Sequence, residues 1–495
     1  MNALMALLLG AMYVLGFAPF DYLLLTLLAI GGLYALLRAA PDATHAVWLA
    51  WCFGVGKYAV GASWIYVSIN VYGQAPPPLA LLLVALFVIG LAALFVAPLG
   101  GLYRGWRLSG DRAGWDVCAF VLAWVLLDWL STWLLTGFPW LLPGYALLDT
   151  YAAAAASWIG VLGLGMLCVL AVTALTAALL GRRWRLLWLA GVPLGLALLA
   201  GSMSWVQPGA ARQVALVQGN IDQAIKWQPE QALPNARAHL ALSAPHWDAD
   251  ILVWPEAAVT LYPQQAEQLL QQLGERGRAS ATDVIVGMPG VTALPGGQYQ
   301  VQNLALGLGT ARGRYAKHHL VPFGEYVPLE SMLRGLISFF DLPMSGMAPG
   351  PLEQPNIQLS SGPVAMAICY EIAYPDSVRT RAKAAGLLMT LSNDTWFGAS
   401  IGPLQHLQIA RMRAVENGRW LLRATNNGVT AIVDPQGEVV AQLPQFTAGV
   451  LRGSVRLMQG RTPFNRFGHL PLLLGMLLLG VGLLVQRLRV FKSEP

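Results

Sequence analysis

Four side chains in the second half of the sequence are of types that can do chemistry together. Glu256 follows ILVWP, Lys317 lies in RYAKHHLVPFGEYVP with Glu325 eight residues on, and Cys369 follows VAMAI. A thiol is mostly protonated near neutral pH and must be activated before it can attack a carbonyl. A carboxylate can take its proton as general base, and works best when burial raises its pKa. A lysine ammonium can stabilise the oxyanion of a tetrahedral intermediate. A second carboxylate, Glu325, can orient the lysine or assist proton transfer. Singly, each residue has a plainer alternative: Glu256 as a cap on a helix from Ala257, Lys317 as a surface charge, Cys369 as core filler. As a base for Cys369, His318 is the rival to Glu256. His318 and His319 are adjacent, so on a strand they point to opposite faces, and no His/Cys cluster has zinc-ligand spacing.

The elements that must position these groups lie in 206–467. Short β-rich runs (QVALVQGNI, ADILVWPEAAV, DVIVGMPG, QNLALGLG, GPVAMAICYEI, GLLMTLSND, GVTAIVDPQG) alternate with helix-compatible stretches such as QQAEQLLQQLGERGRA and HLQIARMRAVENGRW. The latter puts Leu407, Ala410 and Ala414 on one face. Alternation of this kind predicts a layered α/β domain, in which functional residues cluster at strand ends. DPQGE marks a turn between two strands, and GGQYQ reads as an exposed loop.

The rest of the chain has another solvent. Of the 495 residues 56% are hydrophobic and only 11% charged, about half the charge of an ordinary soluble protein. Apolar runs near bilayer-crossing length recur about eight times, at 2–19, 22–38, 47–66, 78–103, 116–135, 155–180, 186–205 and 468–487. This divides the chain into a seven-span bundle (1–205), an α/β domain (206–467) and a last span with its tail (468–495). The first run has no charged leader and is followed at once by another, so it reads as a retained helix. Arg38, Arg104, Arg107, Arg112, Arg182, Arg183, Arg185, Arg487, Arg489 and Lys492 all fall on one side of alternating spans. That side is cytoplasmic by the positive-inside rule, and 206–467 faces outward. The net charge of +6 therefore reports topology, not nucleic-acid binding. Lys57 and Asp128 fall within spans, as a snorkelling lysine and an interfacial aspartate or as functional charges. The cysteines Cys52, Cys118 and Cys168 lie in apolar runs, so Cys369 has no disulfide partner.

WPEAA, KHHLVPFGEYVP and CYE, in that order, resemble the Glu–Lys–Cys triad motifs of the nitrilase superfamily over 212–455. Joined to the spans, and with SNDTWFG, the chain resembles the bacterial apolipoprotein N-acyltransferase family along essentially its whole length. The resemblance implies a four-layer αββα nitrilase-like domain outside the cytoplasmic (inner) membrane, joined to a polytopic helical bundle. It implies Glu256 as general base, Lys317 as oxyanion stabiliser and Cys369 as nucleophile, supported by Glu325, Tyr370, Glu371 and Trp227. The acyl donor would be a phospholipid, by its sn-1 chain from phosphatidylethanolamine, and the acceptor the N-terminal diacylglyceryl-cysteine of an apolipoprotein. No metal or dissociable cofactor is expected. Residues 338–351, with Phe339, Phe340 and Met344, form a candidate lid. Trp396 and Phe397 are candidates for acyl contacts. The alternatives are a membrane-anchored amidase using the same triad with water as acceptor, and a transporter or receptor whose outer domain only binds.

Overall fold

The computed structural model describes residues 1–107, 113–293, 299–328 and 346–493. The chain divides into two compact units, one formed by Met1–Ile65, Pro78–Ser204 and Thr462–Pro495, the other by Tyr66–Pro77 and Trp205–Arg461.

The first unit is helical. Helices stand at Asn2–Tyr13, Leu23–Ala39, Ala43–Gly61, Pro77–Phe95 with Ala97–Trp106, Ala113–Leu130, Ala156–Gly181, Leu187–Gly201 and Leu470–Ser493, matching the eight expected runs with shifted ends. Among the described residues, five are long and apolar enough to cross a membrane: Pro77–Trp106, Ala113–Leu130, Tyr151–Gly181, Trp184–Gly201 and Leu470–Arg489. Asn2–Gly16 and Leu23–Ala39 are shorter apolar helices. The expected span 47–66 ends early, at Gly61, and Tyr66–Pro77 groups with the second unit instead.

Small residues let the first and third helices approach closely. A Cβ on Gly10 would lie 2.0 Å from the Phe53 carbonyl oxygen, and one on Gly56 2.0 Å from that of Leu7. Lys57 does not snorkel. It is 4% exposed, with its ammonium 5.1 Å from the Tyr13 ring centroid and 5.2 Å from that of Tyr58, within cation–π range. Asp128 accepts from Trp124 Nε1 at 2.9 Å. At the basic side, Asp116 gathers the Tyr34 and Tyr103 hydroxyls at 2.6 and 2.9 Å and Arg107 Nε at 3.0 Å.

The second unit is an αββα sandwich of two six-stranded sheets. In chain order the strands are β1 (Val206–Gln218), β2 (Ile251–Val253), β3 (Asp283–Ala293), β4 (Tyr299–Gly309), β5 (Arg314–Ala316), β6 (Ile357–Leu359), β7 (Gly362–Ile368), β8 (Leu387–Ser392), β9 (Trp420–Thr425), β10 (Ala431–Val433), β11 (Val439–Gln442) and β12 (Gly449–Gly460). One sheet runs β12-β1-β2-β3-β4-β5, the other β11-β10-β9-β8-β7-β6. Each has three central parallel strands, β1–β3 or β7–β9, flanked by antiparallel ones.

Strands covered on both faces read as continuous apolar runs, which is why ILV and LLMTLS lack alternation and are fully buried. Val214, Leu216, Ile251, Val253 and Ile285 meet Val364, Met366, Ile368, Leu387 and Met389 between the sheets. Helices Ala232–Ser243 and Glu267–Ala279 bury Ala236 and Leu273 on the first sheet's outer face. Helices Pro375–Ala382 and Gly402–Asn417 bury Val378, Leu407, Ala410 and Ala414 on the second's, the face expected for Leu407. Asp434 closes the β10–β11 turn, accepting from the Gln436 and Glu438 amides at 2.9 Å each. Part of GGQYQ lies outside the described residues.

Candidate active site

Glu256, Lys317 and Cys369 follow the ends of β2, β5 and β7, and the sandwich brings them together. No helix starts at Ala257. The residue has φ of +47°, and the chain turns so that Glu256 faces inward, 4% exposed. Gly287 on β3 makes room: a Cβ there would lie 2.3 Å from the Pro255 carbonyl oxygen and 2.8 Å from Glu256 Cα. Lys317, 1% exposed, places Nζ 2.8 Å from Glu325 Oε1 and 3.6 Å from Glu256 Oε1. Glu325 Oε2 accepts from the Val321 amide at 2.8 Å, so this carboxylate bonds both the lysine and its own loop. Glu256 is held at both oxygens, by Asn303 Nδ2 at 2.7 Å and by the Asn393 amide at 2.6 Å.

Cys369 opens a tight turn after β7 with φ of +52°, a conformation that costs a non-glycine residue about 1–3 kcal/mol. Glu371, fully buried, fastens that turn. It accepts from the Ile368 amide at 2.8 Å, the His318 and His319 amides at 2.8 and 3.1 Å, and the Tyr315 hydroxyl at 2.8 Å. One carboxylate thus ties the Cys369 turn to the strand end that carries Lys317, a structural task for a residue singled out from sequence as a neighbour of the thiol. His318 is engaged elsewhere, with Nδ1 2.7 Å from the Gly350 carbonyl.

The electrostatics divide the labour. Burial raises the pKa of Glu256, with Lys317 opposing and Glu325 adding to it. Burial works against the charge of Lys317, but the Glu325 and Glu256 carboxylates outweigh it and keep the ammonium charged. Burial, then Glu256, pushes the Cys369 thiol up to about 12. The resting site is therefore a neutral thiol next to a carboxylate and an ammonium. That arrangement can move a proton from sulfur to oxygen as the sulfur attacks a carbonyl carbon. Among the described residues, no group of three or more His, Cys, Asp or Glu side chains is arranged to hold a metal ion.

The supporting candidates fall into two sets. Trp227 and Trp396 pack with Leu320, Tyr326 and Met347 in one apolar cluster. Tyr370 meets Tyr374 edge-on at 5.2 Å, and Tyr374 stacks on His319 at 4.2 Å. Phe397 lies edge-on to His406 at 5.8 Å. Trp396 is also held by Tyr66–Pro77: Ser68 Oγ donates to its carbonyl at 2.8 Å and Tyr72 meets its ring at 5.9 Å. Phe339, Phe340 and Met344 lie outside the described residues, as does most of the candidate lid.

Sequence reasoning missed a buried layer around the thiol. Asp394 binds Arg423 at 2.5 Å and Ser392 Oγ at 2.6 Å, with His406 Nδ1 at 3.1 Å, and His406 Nε2 lies 3.2 Å from the Cys369 carbonyl. Despite burial, Arg423 and His406 hold the Asp394 carboxyl well below the usual range. Its one signal in sequence is a polar run, SNDT, at the end of an apolar strand. Asn303 and Lys226 were missed as well.

Two family models match this chain. Residues 9–174 match the apolipoprotein N-acyltransferase N-terminal domain, and residues 213–461 match the carbon-nitrogen hydrolase domain. The apolipoprotein N-acyltransferase of Pseudomonas aeruginosa (strain LESB58) is 44% identical over 490 residues, covering 96% of this chain and 94% of its own length. The chain belongs to the apolipoprotein N-acyltransferase family. The apolipoprotein N-acyltransferase of Azotobacter vinelandii is 44% identical over 501 residues, covering 98% of this chain and 95% of its own, and that of Vibrio vulnificus 39% over 478 residues, covering 94% and 92%. The family assignment covers both the helical unit and the sandwich that carries Glu256, Lys317 and Cys369.

Proposed function

We infer that this enzyme transfers a fatty-acyl chain from a membrane phospholipid, through a thioester on Cys369, to the α-amino group of the N-terminal diacylglyceryl-cysteine of apolipoproteins. The observation that carries the reading is the buried Glu256–Lys317–Glu325 set around the Cys369 turn. Glu256 takes the Sγ proton as sulfur attacks the ester carbonyl, by our reading the sn-1 ester of phosphatidylethanolamine. The carbonyl oxygen becomes an oxyanion facing the Lys317 ammonium. Collapse breaks the carbon–oxygen bond, and Glu256 returns the proton to the departing lysophospholipid oxygen. The acceptor amine then attacks the thioester and gives a proton to Glu256. The carbon–sulfur bond breaks and the thiol regains its proton.

Both substrates are lipid-anchored, and each buried methylene resists extraction by about 0.8 kcal/mol. An enzyme acting on them must itself belong to the membrane, and the apolar helices supply that. The one-sided arginines support a cytoplasmic (inner) membrane location with the sandwich on the periplasmic side. We assign the apolar cluster of Trp227, Tyr326 and Trp396 to contact with the acyl chain.

The test is intact-protein mass spectrometry after incubation with phosphatidylethanolamine, wild type against Cys369→Ala. The expected result is one fatty-acyl mass on wild type, mapped to Cys369, absent from the variant and discharged by a diacylated lipopeptide. No adduct, with free fatty acid released instead, or ammonia released from a small amide supplied in its place, would replace transfer by hydrolysis.

A further inference from the structure

Besides the paired Asp394 and Arg423, the mechanism leaves the buried ammonium of Lys226 near the thiol unused. Lys226 is 2% exposed and ends the one-turn helix Gln223–Lys226, capped by Asp222 through the Ala224 amide at 2.9 Å. Its Nζ donates to the Glu256 carbonyl at 3.2 Å. From the other end of the same turn, Gln223 Oε1 accepts from Asn393 Nδ2 at 2.9 Å, and the Asn393 amide in turn holds Glu256 Oε2. The turn therefore grips Glu256 twice, through its carbonyl and through its carboxylate's partner. Asn235 Nδ2 donates to the Lys226 carbonyl at 3.3 Å and steadies the turn from behind.

Charge counting gives this lysine a second task. The Asp394 and Arg423 charges beside the thiol cancel as a pair, while Glu256 and Glu325 bring two negative charges to the site and Lys317 brings one positive charge. Left so, the excess negative charge opposes formation of a thiolate. Among the described residues the acceptor that Lys226 reaches is a neutral carbonyl, too little to compensate a buried ammonium. The anions that can compensate it are the Glu256 carboxylate and the Cys369 sulfur, both of which it feels.

We propose that Lys226 is a positioning residue of the active site: its ammonium fixes the main chain at Glu256 and supplies the second positive charge that lets Glu256 stay ionised and Cys369 release its proton. The proposal rests on the acyl-transfer reading above for its role in turnover, but not for its effect on the thiol. Burial lowers the Lys226 pKa to about 8, with Glu256 and Cys369 opposing, so the charge is present at neutral pH and lost in mild alkali. The other groups facing it are Glu256, Cys369 and His239, with Lys317 and Glu325 beyond Glu256. Burial depresses His239 to about 4, so it stays neutral throughout this range.

The test is the rate of Cys369 alkylation by iodoacetamide between pH 6 and 10, read by peptide mass spectrometry on the full-length enzyme for wild type, Lys226→Met and Lys226→Arg. Loss of a nearby cation should slow alkylation in Lys226→Met about tenfold at pH 7. That gap should close well above pH 8, where wild-type Lys226 is itself neutral. Lys226→Arg, always charged, should keep the wild-type rate at pH 7 and exceed it in alkali. A gap that stays constant with pH marks a merely structural lysine and overturns the proposal, as does a wild-type profile in Lys226→Met. If Lys226→Met does not fold, Lys226→Arg decides alone, and an alkaline profile identical to wild type overturns it. Acyl transfer is measured in parallel. Failure of Cys369 to take an acyl chain would sink the proposed function while leaving the alkylation result to judge Lys226.

Discussion

At the scale of single residues, the site is a set of opposing charges kept from water. Glu256 accepts a proton only as a carboxylate, and burial raises its pKa above the ordinary 4.5. A raised pKa means that the base is lost at a higher pH on acidification than a free glutamate would be. The acid limb of kcat/KM should therefore have its midpoint above pH 4.5, and Glu325→Gln, which removes a neighbouring negative charge, should move it down. A pH–rate profile of both enzymes checks this. An unmoved limb in Glu325→Gln would assign the ionisation to another group. The candidate triad was legible in sequence because Glu256, Lys317 and Cys369 each interrupt or end an apolar run. Lys226, Asn303 and His406 were not. They come from a one-turn helix, a strand interior and a buried helix face, and local sequence carries no mark of the distant carbonyl or carboxylate each one meets.

At the scale of elements, the geometry depends on tight turns at strand ends. Gly287 is the place where β3 passes the Glu256 turn with no space for a side chain. Gly287→Ala must push on backbone atoms, not on a flexible side chain, so the Glu256 carboxylate is displaced. Activity should fall at least tenfold with the fold retained, since misplacement of about 1 Å costs that much or more. Turnover compared with circular dichroism of the same preparation tests it, and a fully active variant would mean that the turn relaxes freely. Strand positions were legible because double-sided burial leaves unbroken apolar runs. Helix ends in the first unit were less so: Gly61 stops its helix within an apolar stretch, where hydropathy shows no boundary.

At the scale of the whole molecule, one chain carries apolar helices and a water-compatible sandwich, and the proposed orientation rests on the arginines. Leu352 in the sandwich is 66% exposed and Trp184, among the arginines at the start of the Trp184–Gly201 helix, 59%. In cells with a permeabilised outer membrane, Leu352→Cys should react with a membrane-impermeant maleimide and Trp184→Cys only after the inner membrane is opened, with the unsubstituted protein as the blank. The reverse pattern would invert the orientation. Sequence showed both parts of the chain through composition alone. It did not show that Tyr66–Pro77 leaves the helical unit to join the sandwich, because that grouping rests on contacts with residues such as Trp396, far along the chain.

The candidate site residues are divided between the two sheets. Glu256 and Lys317 follow strands of the first, while Cys369 and Asn393 follow strands of the second. The first sheet is itself closed by β12, the last strand made, pairing with β1, the first. The strand ends of one sheet thus supply the thiol and those of the other supply Glu256 and Lys317. The division makes the site a property of the packed sandwich: neither sheet alone holds both the thiol and the Glu256–Lys317 pair.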